Sequence, residues 1–128
     1  VTLEDLKCNS YEDLEEKLVP MLREVYNSKM AMAASEQKSE IERILVKKVK
    51  IDGGICLKWV CSSFNGMPDR LIFLPNGHFG MAELKANGQK PRALQLARYK
   101  MLKRLGFKVY VIDDVEQIGG MIDEIQAT

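Results

Sequence analysis

Long apolar runs are missing from these 128 residues, and none approaches the roughly 18 positions that a membrane-spanning helix needs. A positively charged start followed by an apolar stretch is missing too, so no secretory signal is expected. Histidine occurs once, at His78, and no serine or cysteine partner is evident for it, which argues against a His-dependent nucleophilic triad. The three cysteines, Cys8, Cys56 and Cys61, form an odd set without zinc-site spacing. They are expected as small core residues of a reduced, intracellular protein. What remains is ordinary soluble composition, 46% hydrophobic and 29% charged, in a chain long enough to bury a core.

The most informative stretch is Gly66 to Lys85, GMPDRLIFLPNGHFGMAELK. Arg70-Leu-Ile-Phe-Leu74 and His78-Phe-Gly-Met-Ala82 are β-rich runs separated by Pro75-Asn76-Gly77, which predicts a β-hairpin with a three-residue loop. That loop pairs Leu74 with His78, Phe73 with Phe79, Leu71 with Met81 and Asp69 with Glu83. A two-residue Asn76-Gly77 turn would instead pair Asp69 with Leu84 and match bulk less well across the strands. In the favoured register Asp69, Glu83 and Lys85 converge at one end of an otherwise apolar face. Like charges directly opposite destabilise a sheet, so a compensating cation is expected. Carboxylate oxygens with open water positions suit Mg²⁺. The plain structural alternative is an Asp and a Glu neutralised by Lys85 and Arg70 at a sheet edge.

Net charge is only +1, but it is unevenly spread: −4 over residues 1–37, +10 over 38–110 and −5 over 111–128. A basic middle segment holding a carboxylate pair is the footprint of a polyanionic partner. Solvated basic helix faces would leave the same trace.

In chain order, residues 3–28 read as an acidic amphipathic helix that opens near Ser10 and Asp13 and is kinked or split at Pro20. Asn27 to Lys38 reads as a link, and Ser39 to Ile51 as a second helix with Ile41, Ile44, Leu45 and Val49 inward. Ile55 to Cys61 reads as a strand, followed by the hairpin. A helix from Pro91 to about Leu105 then turns Leu94, Ala97, Met101, Leu102 and Leu105 inward and carries bases on its other face. Phe107 to Ile112 is expected as an interior strand. Asp113-Asp114-Val115-Glu116 has capping-box chemistry for a last helix to about Gln126. The expected fold is α/β of α+β type: a helical extension over 1–37, then a domain over 38–128 with a mixed β-sheet flanked by helices in the order α-β-β-β-α-β.

That order resembles the restriction-endonuclease-like core of the PD-(D/E)XK nuclease superfamily, and more closely its VRR-NUC (virus-type replication-repair nuclease) branch. The residues that carry the resemblance are Glu42 in SEIERILVKKVK, Gly53-Gly54, GMPDR at 66–70, AELKANG at 82–88, Gln95 and LGFKVYVID at 105–113. It covers about residues 38 to 126.

The resemblance implies that Asp69 and Glu83 hold Mg²⁺ or Mn²⁺, helped by the backbone carbonyl of Leu84. Lys85 would orient or help deprotonate the attacking water and offset charge on the phosphate. Glu42 would reach the metal directly or through water, with Glu40 as the alternative, and Gln95 would lie beside the site. Lys58, Ser62, Ser63, Arg70 and Lys90 are candidate phosphate contacts, whereas Trp59 and Tyr99 are expected in the core or an interface. The implied activity is that of a metal-dependent, structure-selective DNA endonuclease acting in repair or recombination. A homodimer resolving Holliday junctions or other branched DNA is the sharpest version. A general or nicking nuclease and a non-catalytic nucleic-acid-binding module are the alternatives.

Overall fold

A computed structural model describes residues 10–127. The elements run α1 (Tyr11–Ile51), β1 (Ile55–Lys58), β2 (Arg70–Leu74), β3 (His78–Leu84), α2 (Ala93–Arg104), β4 (Val109–Ile112) and α3 (Gln117–Gln126). Two units part between Ala34 and Ser35.

In the first unit, the Ser10 hydroxyl accepts the Asp13 N–H at 3.1 Å and caps α1. The expected break at Pro20 and the expected link over Asn27 to Lys38 are both helical instead. Proline removes one backbone donor, while Ser28 to Lys38 holds no Gly or Pro and is rich in Ala, Met, Glu, Gln and Lys, all strong helix formers. Residues 3–9 of the first expected helix lie outside the described residues.

In the second unit, the four strands lie in the order β1-β2-β3-β4. β2 is antiparallel to both β1 and β3, and β4 runs parallel to β3. The hairpin adopts the three-residue register, with Leu74 opposite His78, Phe73 opposite Phe79 and Leu71 opposite Met81. Asn76 and Gly77 both take positive φ, 66° and 76°, which closes the loop.

Alternation along the strands separates two apolar layers. Ile72, Leu74, Ala82, Leu84 and Ile112 join Ile41, Leu45 and Val49 of α1 and Ile118, Met121, Ile122 and Ile125 of α3. On the other face Met81 and Val109 pack with Tyr99 and Leu102 of α2, flanked by Trp59, Leu71 and Phe79. Helix α3 lies so close to β3 that a Cβ at Gly80 would come within 2.5 Å of Ile125. Buried Cys56 belongs to the first layer, where desolvation raises its thiol pKa against the pull of nearby Arg70.

Three details differ from expectation. β4 is an edge strand, not an interior one, and Val111 and Phe107 are exposed despite the continuous apolar run. Helix α2 buries Gln95, Tyr99 and Leu102, whereas Leu94 and Leu105 face out. β1 ends at Lys58, although the Trp59 N–H still donates to the Asp69 carbonyl at 2.8 Å and carries the ladder one step further. Lys108, which interrupts the last apolar run, sends its ammonium to the Glu124 and Ala127 carbonyls at 2.8 and 2.9 Å. It thereby caps the negative end of α3. Among the described residues no helix is long and apolar enough to cross a membrane.

Candidate active site

The hairpin register leads directly to the site. Continued one step past Arg70 opposite Ala82, it sets Asp69 across from Glu83. Buried Pro68 holds the chain where β2 begins. Asp69 Oδ1 accepts the Leu84 N–H at 3.2 Å, and its Oδ2 lies 3.4 Å from Lys38 Nζ of α1. Glu83 is 5% exposed and is held from three sides. Gln95 Nε2 donates to its Oε1 at 3.3 Å, Tyr99 Oη donates to its Oε2 at 3.0 Å, and Lys85 Nζ stands 3.8 Å from Oε1. The Gln95 amide is itself oriented, because its oxygen takes the Arg92 N–H at 2.9 Å. Lys85 is fixed through its backbone, whose N–H continues the β3–β4 ladder to the Ile112 carbonyl at 2.9 Å.

The electrostatics follow from this placement. Burial pushes the Glu83 carboxyl above the ordinary carboxylate range, and the Asp69 charge pushes it further; Tyr99, Lys85 and Lys38 pull it back. The Tyr99 phenol is driven far above its usual range by burial and by Glu83, so it serves as a donor. A buried carboxylate beside a second one is costly, and each Glu83 oxygen is accordingly occupied by a donor or a cation.

Not every expected residue joins this group. Glu42 pairs instead with the Arg70 guanidinium, whose side chain is 7% exposed. Arg70 shares the α1/α3 face with Ile72 and Leu74, because strand alternation sends it away from Asp69 and Glu83. It is therefore too buried to serve as a phosphate contact, and Glu42 is its counter-charge. Glu40 pairs with Arg43 at the surface. Among the described residues no group of three or more His, Cys, Asp or Glu side chains is arranged to hold a metal ion. Leu84 enters the site through its N–H, while its side chain lies in the core.

Lys58, Ser62, Ser63 and Lys90 are exposed. The loop carrying the serines is tied to α2 by Arg98, which donates to the Asn65 carbonyl at 2.9 Å and stacks over Phe64 at 3.7 Å. Two residues of the site escaped sequence reasoning. Tyr99 sits four positions after Gln95, one helical turn on, and that shared face was the available signal. Lys38 left no signal of its own.

The donor chemistry fits a hard divalent cation. Asp69 and Glu83 supply paired carboxylate oxygens, and two lysines already offset their charge.

Comparison with known proteins agrees with this architecture. No family model matches the chain. A solved structure described as a VRR-NUC domain superposes with a TM-score of 0.64 at 24% identity, over 68% of this chain and 95% of that one, which fixes the fold. A protein named "Putative nuclease p44", from Acyrthosiphon pisum secondary endosymbiont phage 1, is 43% identical over 77 residues, 60% of this chain and 83% of the relative. The chain belongs to the VRR-NUC nuclease family. The VRR-NUC chain also matches the protein translocase subunit SecA of Aliarcobacter butzleri, at 51% identity over 49 residues. That match spans 6% of SecA's length, too little for SecA's activity to carry over.

Proposed function

We propose that this VRR-NUC chain hydrolyses phosphodiester bonds in DNA, with Mg²⁺ or Mn²⁺ held by Asp69 and Glu83. The observation that carries the reading is the buried Glu83 beside Asp69, ringed by Lys85, Gln95 and Tyr99. When bound, the cation would neutralise charge on the scissile phosphate and lower the pKa of a coordinated water.

The chain's own residues supply the rest. Gln95 and Tyr99 hold the Glu83 carboxylate in one orientation and keep both oxygens in defined positions. The Leu84 N–H does the same for Asp69 Oδ1. Lys85 Nζ sits close enough to Glu83 to orient an attacking water and to offset negative charge that grows on the phosphate oxygens. Glu42 supports the strand from the other face by neutralising Arg70. Lys58, Ser62, Ser63 and Lys90 are exposed candidates for phosphate contacts, and the loop with the serines is pinned by Arg98. We assign residues 38–128 to the nuclease domain and 1–37 to an N-terminal extension, helical from Tyr11 onward.

Structure selectivity is the finer part of the reading. No recognition helix or finger inserts among these elements, so branched DNA recognised by shape suits the fold better than a base sequence. A homodimer with two such sites would place paired nicks across a four-way junction. A relative from a phage, named as a nuclease, is consistent with that use.

The test uses labelled four-way junction, splayed-arm, linear duplex and single-stranded DNA with Mg²⁺ or Mn²⁺, and Glu83→Ala as the matched control. Symmetric junction nicks that vanish in Glu83→Ala are expected. Equal cutting of all four substrates would leave a general nuclease. Binding without metal-dependent cleavage in either protein would leave only a binding module.

A further inference from the structure

Lys38 is a second lysine at the site, reaching it from outside the hairpin. Its ammonium lies 3.4 Å from Asp69 Oδ2, and its charge is felt at Glu83. The segment of α1 that carries it is anchored on both sides. The neighbouring Gln37 Oε1 accepts the Asn87 N–H at 3.3 Å, just past Lys85, and Ile41, less than one turn further, is buried in the core. The backbone of Lys38 is thus fixed against the site, while its side chain is 43% exposed. Lys85 is different: its side chain is 18% exposed and faces the buried Glu83.

Charge counting gives this pair a purpose. Two carboxylates and two ammonium groups balance, which lets Asp69 and Glu83 sit together without a metal. A divalent cation on the same carboxylates would be repelled by both lysines. Lys38 is the one able to withdraw, because its ion pair is the more exposed and so the more screened by solvent. Once it withdraws, the cation and two lysines outweigh the acids by two positive charges, a field that attracts a phosphodiester.

We propose that Lys38 is the counter-cation of the metal-free site and passes from Asp69 to a DNA phosphate when a divalent cation takes its place. This rests on the nuclease reading above and adds a positioning residue that also binds substrate.

The test compares the full chain with Lys38→Gln and Lys38→Arg. Mn²⁺ affinity is measured by titration calorimetry without DNA. Binding of a short DNA duplex in Ca²⁺ is followed by anisotropy across a salt series. Lys38→Gln should bind Mn²⁺ about 2–5-fold tighter, the range set by the loss of one exposed competing charge. The same variant should bind DNA more weakly, with a log–log salt slope smaller by about 0.9, one phosphate contact. Lys38→Arg should stay near the parent in both. Tighter metal with weaker DNA is a pairing that a merely structural role would not produce. Unchanged or weaker Mn²⁺ binding in Lys38→Gln, or an unchanged salt slope, overturns the proposal while leaving the nuclease reading intact. A parent chain that binds no Mn²⁺ overturns both.

Discussion

The two faces of the sheet are built from the same alternating strands and end very differently. On the α1/α3 face, Ile72, Leu74, Ala82, Leu84 and Ile112 continue into a dry layer, and Arg70 at its rim is answered by Glu42. On the α2 face the apolar layer stops at Met81 and gives way, one pleat later, to Glu83 with Asp69, Gln95 and Tyr99 around it. A stable layer buries its polar groups only with partners matched in charge. The α2 face buries a carboxylate next to another carboxylate and offsets the pair with Lys85 and Lys38. That pairing is why we place the chemistry at the α2 end and the support at the α1/α3 end.

The largest effect should come from breaking the α2 end. Asp69→Ala or Glu83→Ala should lower the cleavage rate by at least about 10²–10³-fold, with the fold intact by circular dichroism. Breaking the supporting face should do the reverse. Leu45→Ala, at a fully buried position, should cost about 2–5 kcal/mol in denaturant unfolding, by lost transfer energy and a residual cavity. Its residual folded fraction should retain cleavage.

A smaller effect, about 10–100-fold in metal affinity or rate, is expected for Tyr99→Phe, which removes a donor to the carboxylate we propose holds the metal. The lost hydrogen bond had favoured ionised Glu83, so the acid limb of the pH–rate profile should move to higher pH. A cation needs Glu83 deprotonated, and in the metal-free protein burial already holds its carboxyl above the ordinary carboxylate range.

The smallest effect is on the stability of the metal-free protein. Folding raises the Glu83 pKa, so between the unfolded and folded values the native state binds more protons than the unfolded one. Stability therefore falls as pH rises through that window. Glu83→Gln should flatten the fall and raise the melting temperature at neutral pH in the presence of a chelator. A melting temperature lowered by Glu83→Gln would show that the ring of donors more than offsets the repulsion.

Much of the fold was legible because its signals were local. Pro75-Asn76-Gly77 set the hairpin register, and that register alone brought Asp69 opposite Glu83. Gly106, just past α2, takes a positive φ of 95° that favours glycine and ends the helix. Other features depended on tertiary choices that local pattern does not encode. Phe107 to Ile112 reads as an interior strand, yet among the described residues no strand pairs with its outer edge, so an apolar run became an edge strand. Pro20 reads as a break, but one missing donor did not outweigh the helix-favouring residues around it. The inward face of α2 was misread because its burial is polar: Gln95 and Tyr99 turn in to serve Glu83, while Leu94 and Leu105 turn out. Arg70 and Glu42 were both assigned to the site from their neighbours in sequence, and strand alternation sends Arg70, with Glu42 as its partner, to the opposite face.

Everything proposed for the α2 end depends on Asp69 and Glu83 together holding a divalent cation. Anomalous diffraction from crystals grown with Mn²⁺ tests it directly. One strong peak is expected between the Asp69 and Glu83 carboxylates, absent in Glu83→Ala crystals. No peak there, or a peak confined to the acidic pocket lined by Glu36, Glu40, Asp113 and Asp114, would contradict it.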